Sequence, residues 1–106
     1  MKLADLHPRF LDAGGEGVSR KNAMGEYEPA PLRTGVGVDF DCPCGCASRC
    51  YVPFKNPLDG GPLDERGWDR TGDTFETLTL LPSILRPKPR SCGWHGIITN
   101  GEVTSC

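Results

Sequence analysis

The sequence predicts a mainly β domain closed by a metal site, and three observations carry that expectation. Turn-forming residues are abundant, with 14 Gly and 10 Pro among 106 residues. Short apolar runs alternate with the period of a strand, so short strands, long loops and little helix are expected. Cysteines gather in two tight turns far apart in the chain, each beside a strand-like run. The expected architecture is a small β domain with two metal knuckles, long loops and an extended N-terminal arm.

Each element has its own signal. LADLHPRFL near the start has the composition of a short helical turn, which Pro8 limits. Residues 13–35 are rich in Gly, Pro and charge without a period, and read as an extended arm. Residues 1–35 are therefore set apart from a metal-binding β domain at 36–106. VGVDFD at 36–41 places Val36, Val38 and Phe40 on one face. RCYVPF gives a second short strand, with Pro53 at an edge or an end. NPLDGGP at 56–62 is turn chemistry. TFETLTLL at 74–81 alternates like a strand, and RPKPR at 86–90 reads as a stiff basic connector. GIITNGEVTSC is a hairpin, because Asn100-Gly101 suits a turn whose two central residues need positive φ.

Composition narrows the function. The chain is 37% hydrophobic with a net charge of −2, which argues against nonspecific nucleic-acid binding, since that depends on excess Lys and Arg. No run approaches the roughly 20 apolar residues that span a bilayer. Asp5, His7 and Pro8 interrupt the place where a signal peptide would be apolar. The expected compartment is the cytosol, or the host cytoplasm for a phage-encoded protein, with a virion as the alternative. Clustered cysteines in a reducing compartment are metal ligands more often than disulfides.

The ligands come from two turns. In Asp41-Cys42-Pro43-Cys44-Gly45-Cys46 a strand delivers the first thiol, proline fixes the turn and glycine lets the chain reverse. Cys92-Gly93-Trp94-His95-Gly96 has the same form and leads into another strand. Cys42, Cys44, Cys92 and His95 form the expected set, three thiolates and an imidazole around Zn²⁺. Cys46 is one thiol more than four-coordination needs and substitutes for either early cysteine. Cys50 and Cys106 lie outside the knuckles and are expected to be ordinary strand residues.

Two resemblances bear on these motifs. Cys-x-x-His-Gly at 92–96, followed by IITNGEV, resembles the second cluster-binding loop of Rieske proteins, with Cys42-Pro43-Cys44 placing a thiol where Rieske proteins have histidine. That likeness implies an iron–sulfur cluster as the alternative to zinc. Over roughly residues 36–106, CPCGC, LTLLPSIL, CGWHG and NGEV resemble a family of small uncharacterised phage and prophage proteins. Ala47 stands where a glycine is frequent in that family. The resemblance implies a metal-binding β domain of zinc-ribbon or Rieske-like form and a phage or prophage origin.

Other features receive plainer readings. Ser83 in PSI lacks a strained nucleophile elbow and an adjacent base, so it is expected to cap a turn after a strand. Trp94 is expected to shield the thiolates, and the 56–62 loop is the candidate interaction surface. The expected function is a macromolecular interaction module with a protein partner, a host factor or a phage assembly component. The alternative is an electron carrier or metal-dependent enzyme built on the same ligands. A catalytic zinc needs an open position for water, which a complete four-ligand set does not leave.

Overall fold

The computed structural model describes residues 1–15, 17–86, 88 and 92–106. Most of the expected connector at 86–90 lies outside them. Nine strands run in chain order among the described residues: β1 (Arg9–Ala13), β2 (Ser19–Lys21), β3 (Tyr27–Pro29), β4 (Arg33–Asp41), β5 (Arg49–Pro53), β6 (Asp69–Thr71), β7 (Thr79–Leu85), β8 (His95–Thr99) and β9 (Glu102–Ser105). They form an antiparallel sheet β1-β4-β5, a hairpin β2-β3, and an antiparallel sheet β6-β7-β8-β9. The mainly β expectation holds.

The two larger sheets share one core. Val38 and Phe40 of β4 and Cys50 and Val52 of β5 bury the inner face of the first sheet. Leu80 and Ile84 of β7, Ile98 of β8 and Val103 of β9 bury that of the second. The alternation of VGVDFD holds at Val38 and Phe40, which share the inner face, whereas Val36 is half-buried and outside the core. The opposite face of β4 carries Asp39, which is nonetheless buried. Arg9, its cross-strand partner on β1, grips it through Nε at 2.8 and 3.0 Å, and Arg49 of β5 covers it from the other side. A buried carboxylate needs such partners, and the two guanidiniums hold its carboxyl below the usual range.

The first 35 residues are more integrated than an arm. Leu3 is fully buried, β1 pairs with β4, and the amide of Leu3 donates to the Gly101 carbonyl at 2.8 Å. Met1 and Val103 exchange backbone hydrogen bonds, so the N-terminus lies along β9. The β2–β3 hairpin has the largely exposed character expected of an arm. The apolar residues Leu3 and Phe10 had no periodic company, so tertiary contacts decide their place.

The third strand signal is displaced. Phe75 and Thr77, expected in a strand at 74–81, lie in a turn, and β7 begins at Thr79. Thr74 and Thr77 bond to each other through their hydroxyls at 2.8 Å, a local arrangement that competes with a ladder. Phe75 stacks on Phe10 at 4.4 Å between ring centroids. That contact outweighs its alternation with the neighbouring residues. The closing hairpin is as expected, with Asn100 and Gly101 both at positive φ.

Candidate functional site

The turn between β4 and β5 gathers three thiols at one end of the first sheet. Cys42 ends the strand, its amide donating to the Ser48 carbonyl and its carbonyl accepting from the Gly45 amide, both at 3.0 Å. Gly45 takes φ 80°, where only glycine is unstrained. The segment leading into β8 brings Cys92 to the same place. Cys42 Sγ lies 3.3 Å from Cys44 Sγ and 3.5 Å from Cys92 Sγ. The sulfurs of Cys42, Cys44, Cys46 and Cys92 all lie within 4.8 Å of one another. A zinc–sulfur bond of about 2.3 Å in a tetrahedron puts the sulfurs about 3.8 Å apart. The four thiols fit a metal of that size.

The surroundings favour the thiolate at Cys46 and Cys92. The Ser48 hydroxyl lies 2.9 Å from Cys46 Sγ, and with the Ser48 amide it brings that thiol down to about 6. The Trp94 amide lowers Cys92. Cys44 is raised to about 12, chiefly by its contact with Cys42 and then by Cys46 and Cys92. Arg86 Nη1 approaches Ser48 Oγ at 3.0 Å, Cys46 Sγ at 3.8 Å and Cys92 Sγ at 3.9 Å. Its charge would compensate thiolates gathered there. Cys50 and Cys106 stand outside the four: Cys50 is buried in β5, and burial raises it to about 11.

The structure thus brings together four of the five residues singled out by sequence, Cys46 completing the set. His95 sits elsewhere. It opens β8 on the outer face of the second sheet, where its Nε2 lies 2.9 Å from the Ser83 hydroxyl. Strand alternation explains the divergence. Cys92 belongs to the turn, whereas His95 has entered the strand and projects away from the core-facing Gly96 and Ile98.

Ser83 does not cap a turn. It lies within β7, where Leu80 pairs with Ile98 and Ile84 with Gly96, so residues 81–83 face Ile97 alone. Such a bulge re-aims side chains, and here it turns Ser83 toward His95. The Leu81–Pro82 peptide is cis. The Trp68 indole donates to the Ser83 carbonyl at 3.4 Å, fixing the bulge from the β6 side. No sequence signal announced this pair. The nucleophile elbow that marks many serine hydrolases is absent, and His95 is twelve residues away on the neighbouring strand.

A neutral imidazole that carries its proton on Nδ1 would accept the Ser83 proton at Nε2 across this contact, the nucleophile–base step of serine chemistry. The molecule therefore holds two adjoining sites, a sulfur cluster and a serine–histidine pair, joined through the three-residue step from Cys92 to His95. Among the described residues no helix is long and apolar enough to cross a membrane.

No curated protein and no solved structure matches the chain. A family model does, over residues 26–106, a span that contains all four clustered cysteines, Ser83 and His95. It is described as the bacterial ubiquitination-like system serine protease (BubE), and the chain belongs to that family.

Proposed function

We propose that this protein is a serine peptidase of a bacterial ubiquitination-like system, with Ser83 as nucleophile and His95 as general base. The observation that carries the proposal is the 2.9 Å contact between Ser83 Oγ and His95 Nε2, in a chain whose family is described as serine proteases. Ser83 Oγ attacks the carbonyl carbon of the scissile amide while its proton passes to His95 Nε2. The C–N bond then breaks, the departing amine takes that proton, and an acyl-serine ester remains. Water, deprotonated by His95, hydrolyses the ester and restores both groups.

Cys42, Cys44, Cys46 and Cys92 hold a structural metal in this reading, zinc in preference to an iron–sulfur cluster. With four thiolates the ion has no open position, and closed sites of this kind stabilise folds. The ion supplies a rigid tie between the β4–β5 turn and the start of β8. The protein partner is then the substrate itself, a ubiquitin-like protein or its conjugate, met in the bacterial cytoplasm or delivered there by a phage.

A fluorophosphonate probe tests the assignment. The purified protein should be labelled at Ser83, and Ser83→Ala should abolish labelling. His95→Ala should reduce the labelling rate by about a thousandfold or more, because the unactivated hydroxyl is a weak nucleophile. Both variants should keep their metal. Labelling at another serine, or undiminished labelling of His95→Ala, would overturn the proposal.

A further inference from the structure

The second sheet has an unusual outer face around Ser83 and His95. Both residues lie on its two central strands, with β6 beyond β7 and β9 beyond β8. Residues 1–3 are already bonded along β9. A substrate therefore cannot reach Ser83 by adding a strand to a sheet edge. It must cross the face.

That face carries apolar side chains where a substrate would cross. Leu80 and Ile84 point inward on β7, so Leu81 and Leu85 point outward on either side of Ser83. On β8, Gly96 and Ile98 point inward, and Ile97 points outward beside His95. Leu81 is 59% exposed, Leu85 57% and Ile97 38%. Leu85 is the direct cross-strand partner of His95. Leu85 lies two residues along β7 from Ser83, about 7 Å on an extended strand, and Leu81 lies two residues before it at the bulge. The outer positions on the edge strands are polar: Asp69 faces Leu81, and Thr104 faces Ile97. An apolar centre with a polar rim is the composition of a recognition surface.

We infer that Leu81, Leu85 and Ile97 form the specificity surface of this peptidase, and that its substrate is an extended peptide segment with an apolar side chain within two residues of the scissile bond. The inference rests on the reading of Ser83 as nucleophile. Its occupant follows from continuity with the Ser83–His95 pair, since an extended segment that runs along β7 with a carbonyl at Ser83 Oγ passes over Leu81 and Leu85 and beside Ile97. The same surface disfavours Asp, Glu or Lys there, because a charge would lose water without gaining a partner.

The test uses the full chain and a library of internally quenched peptides varied at the two positions on each side of the cleaved bond. Peptides with Leu, Val or Phe at one of these positions should be cleaved with a kcat/KM at least about tenfold above those with Asp or Lys. Ile97→Lys and Leu85→Lys should invert the preference toward peptides carrying Glu, a change that mere loss of packing would not produce. Fluorophosphonate labelling of Ser83 is read in parallel. Ser83 labelled, with cleavage indifferent to flanking side chains, unmoved by the lysine variants, or absent from the whole library, would overturn the specificity surface and leave the nucleophile standing. An unlabelled Ser83 in the wild-type protein would overturn both.

Discussion

Replacing Cys46 with serine removes one of four sulfurs joining the β4–β5 turn to the segment before β8. The tie spans a large loop, since Cys42 and Cys92 are separated by 50 positions. Closing a loop of that length withdraws about 4 kcal/mol of chain entropy from the unfolded state. Metal–sulfur binding can contribute on the order of 10 kcal/mol in small domains that have no other core. The smaller figure applies here, because Phe40, Val52, Leu80 and Ile98 form a core across both sheets without the ion. At about 4–8 °C per kcal/mol for a domain near this size, losing the tie should lower the melting temperature by roughly 15–30 °C. Elemental analysis and thermal melts of wild-type, Cys46→Ser and Cys50→Ser protein decide the matter, with chelator-treated wild type alongside. Cys46→Ser should lose the metal and Cys50→Ser should retain it. Retention by Cys46→Ser together with loss in His95→Ala would refute the four-sulfur set. Confirmed metal loss with an unchanged melt would refute the entropic argument.

Three further outcomes follow from the packing. Asp39→Asn should cost about 2 kcal/mol, the worth of charge-assisted hydrogen bonds to a buried group, measured by urea denaturation at neutral pH. Because Arg9 and Arg49 lower the folded-state pKa of Asp39, its contribution is complete above the unfolded value of about 3.9. It is lost as pH falls through the folded value, so the variant should show a shallower acid limb. Gly96→Ala would place a methyl 2.3 Å from the Trp94 ring and 2.6 Å from the Thr104 carbonyl. A cost of about 1–3 kcal/mol and slower Ser83 labelling are expected, the first from melts and the second from probe kinetics. Arg86→Gln should weaken metal retention about tenfold or more in a chelator competition, since it removes the cation beside Cys46 and Cys92.

What sequence could reveal depended on whether the cause was local. The strand at 36–41 with Val38 and Phe40 on its buried face, the Asn100-Gly101 turn and the Cys42–Cys46 cluster are short-range patterns, and each reappears in the fold. The displaced start of β7 was hidden because Phe75 answers to Phe10, a residue 65 positions earlier. The participation of residues 1–13 was hidden for the same reason, their partners being Asp39, Val38 and Gly101. His95 was legible as a chemical residue and wrongly placed, because three positions from a cysteine suits both a knuckle and the first outward position of a strand. Ser83 required the bulge, which exists only in the pairing of β7 with β8.

The two sites also depend on each other in one direction. On the proposed reading, a metal held by four thiolates would leave no position for water, so hydrolysis would fall to Ser83 and His95 and the metal would act through geometry alone. Both strands of the pair are anchored at the sulfur end. β8 begins three residues after Cys92. β7 ends beside Arg86, whose amide donates to the Trp94 carbonyl at 2.8 Å and whose guanidinium reaches Cys46 and Cys92. Past Leu85 and His95, that amide bond is the next link between the two strands. Holding Cys92 against the β4–β5 turn therefore fixes where β8 starts, and with it the approach of His95 Nε2 to Ser83 Oγ. An ångström of misplacement in a reacting pair can cost a hundredfold in rate. Metal loss should consequently slow Ser83 labelling even at temperatures where both sheets remain folded.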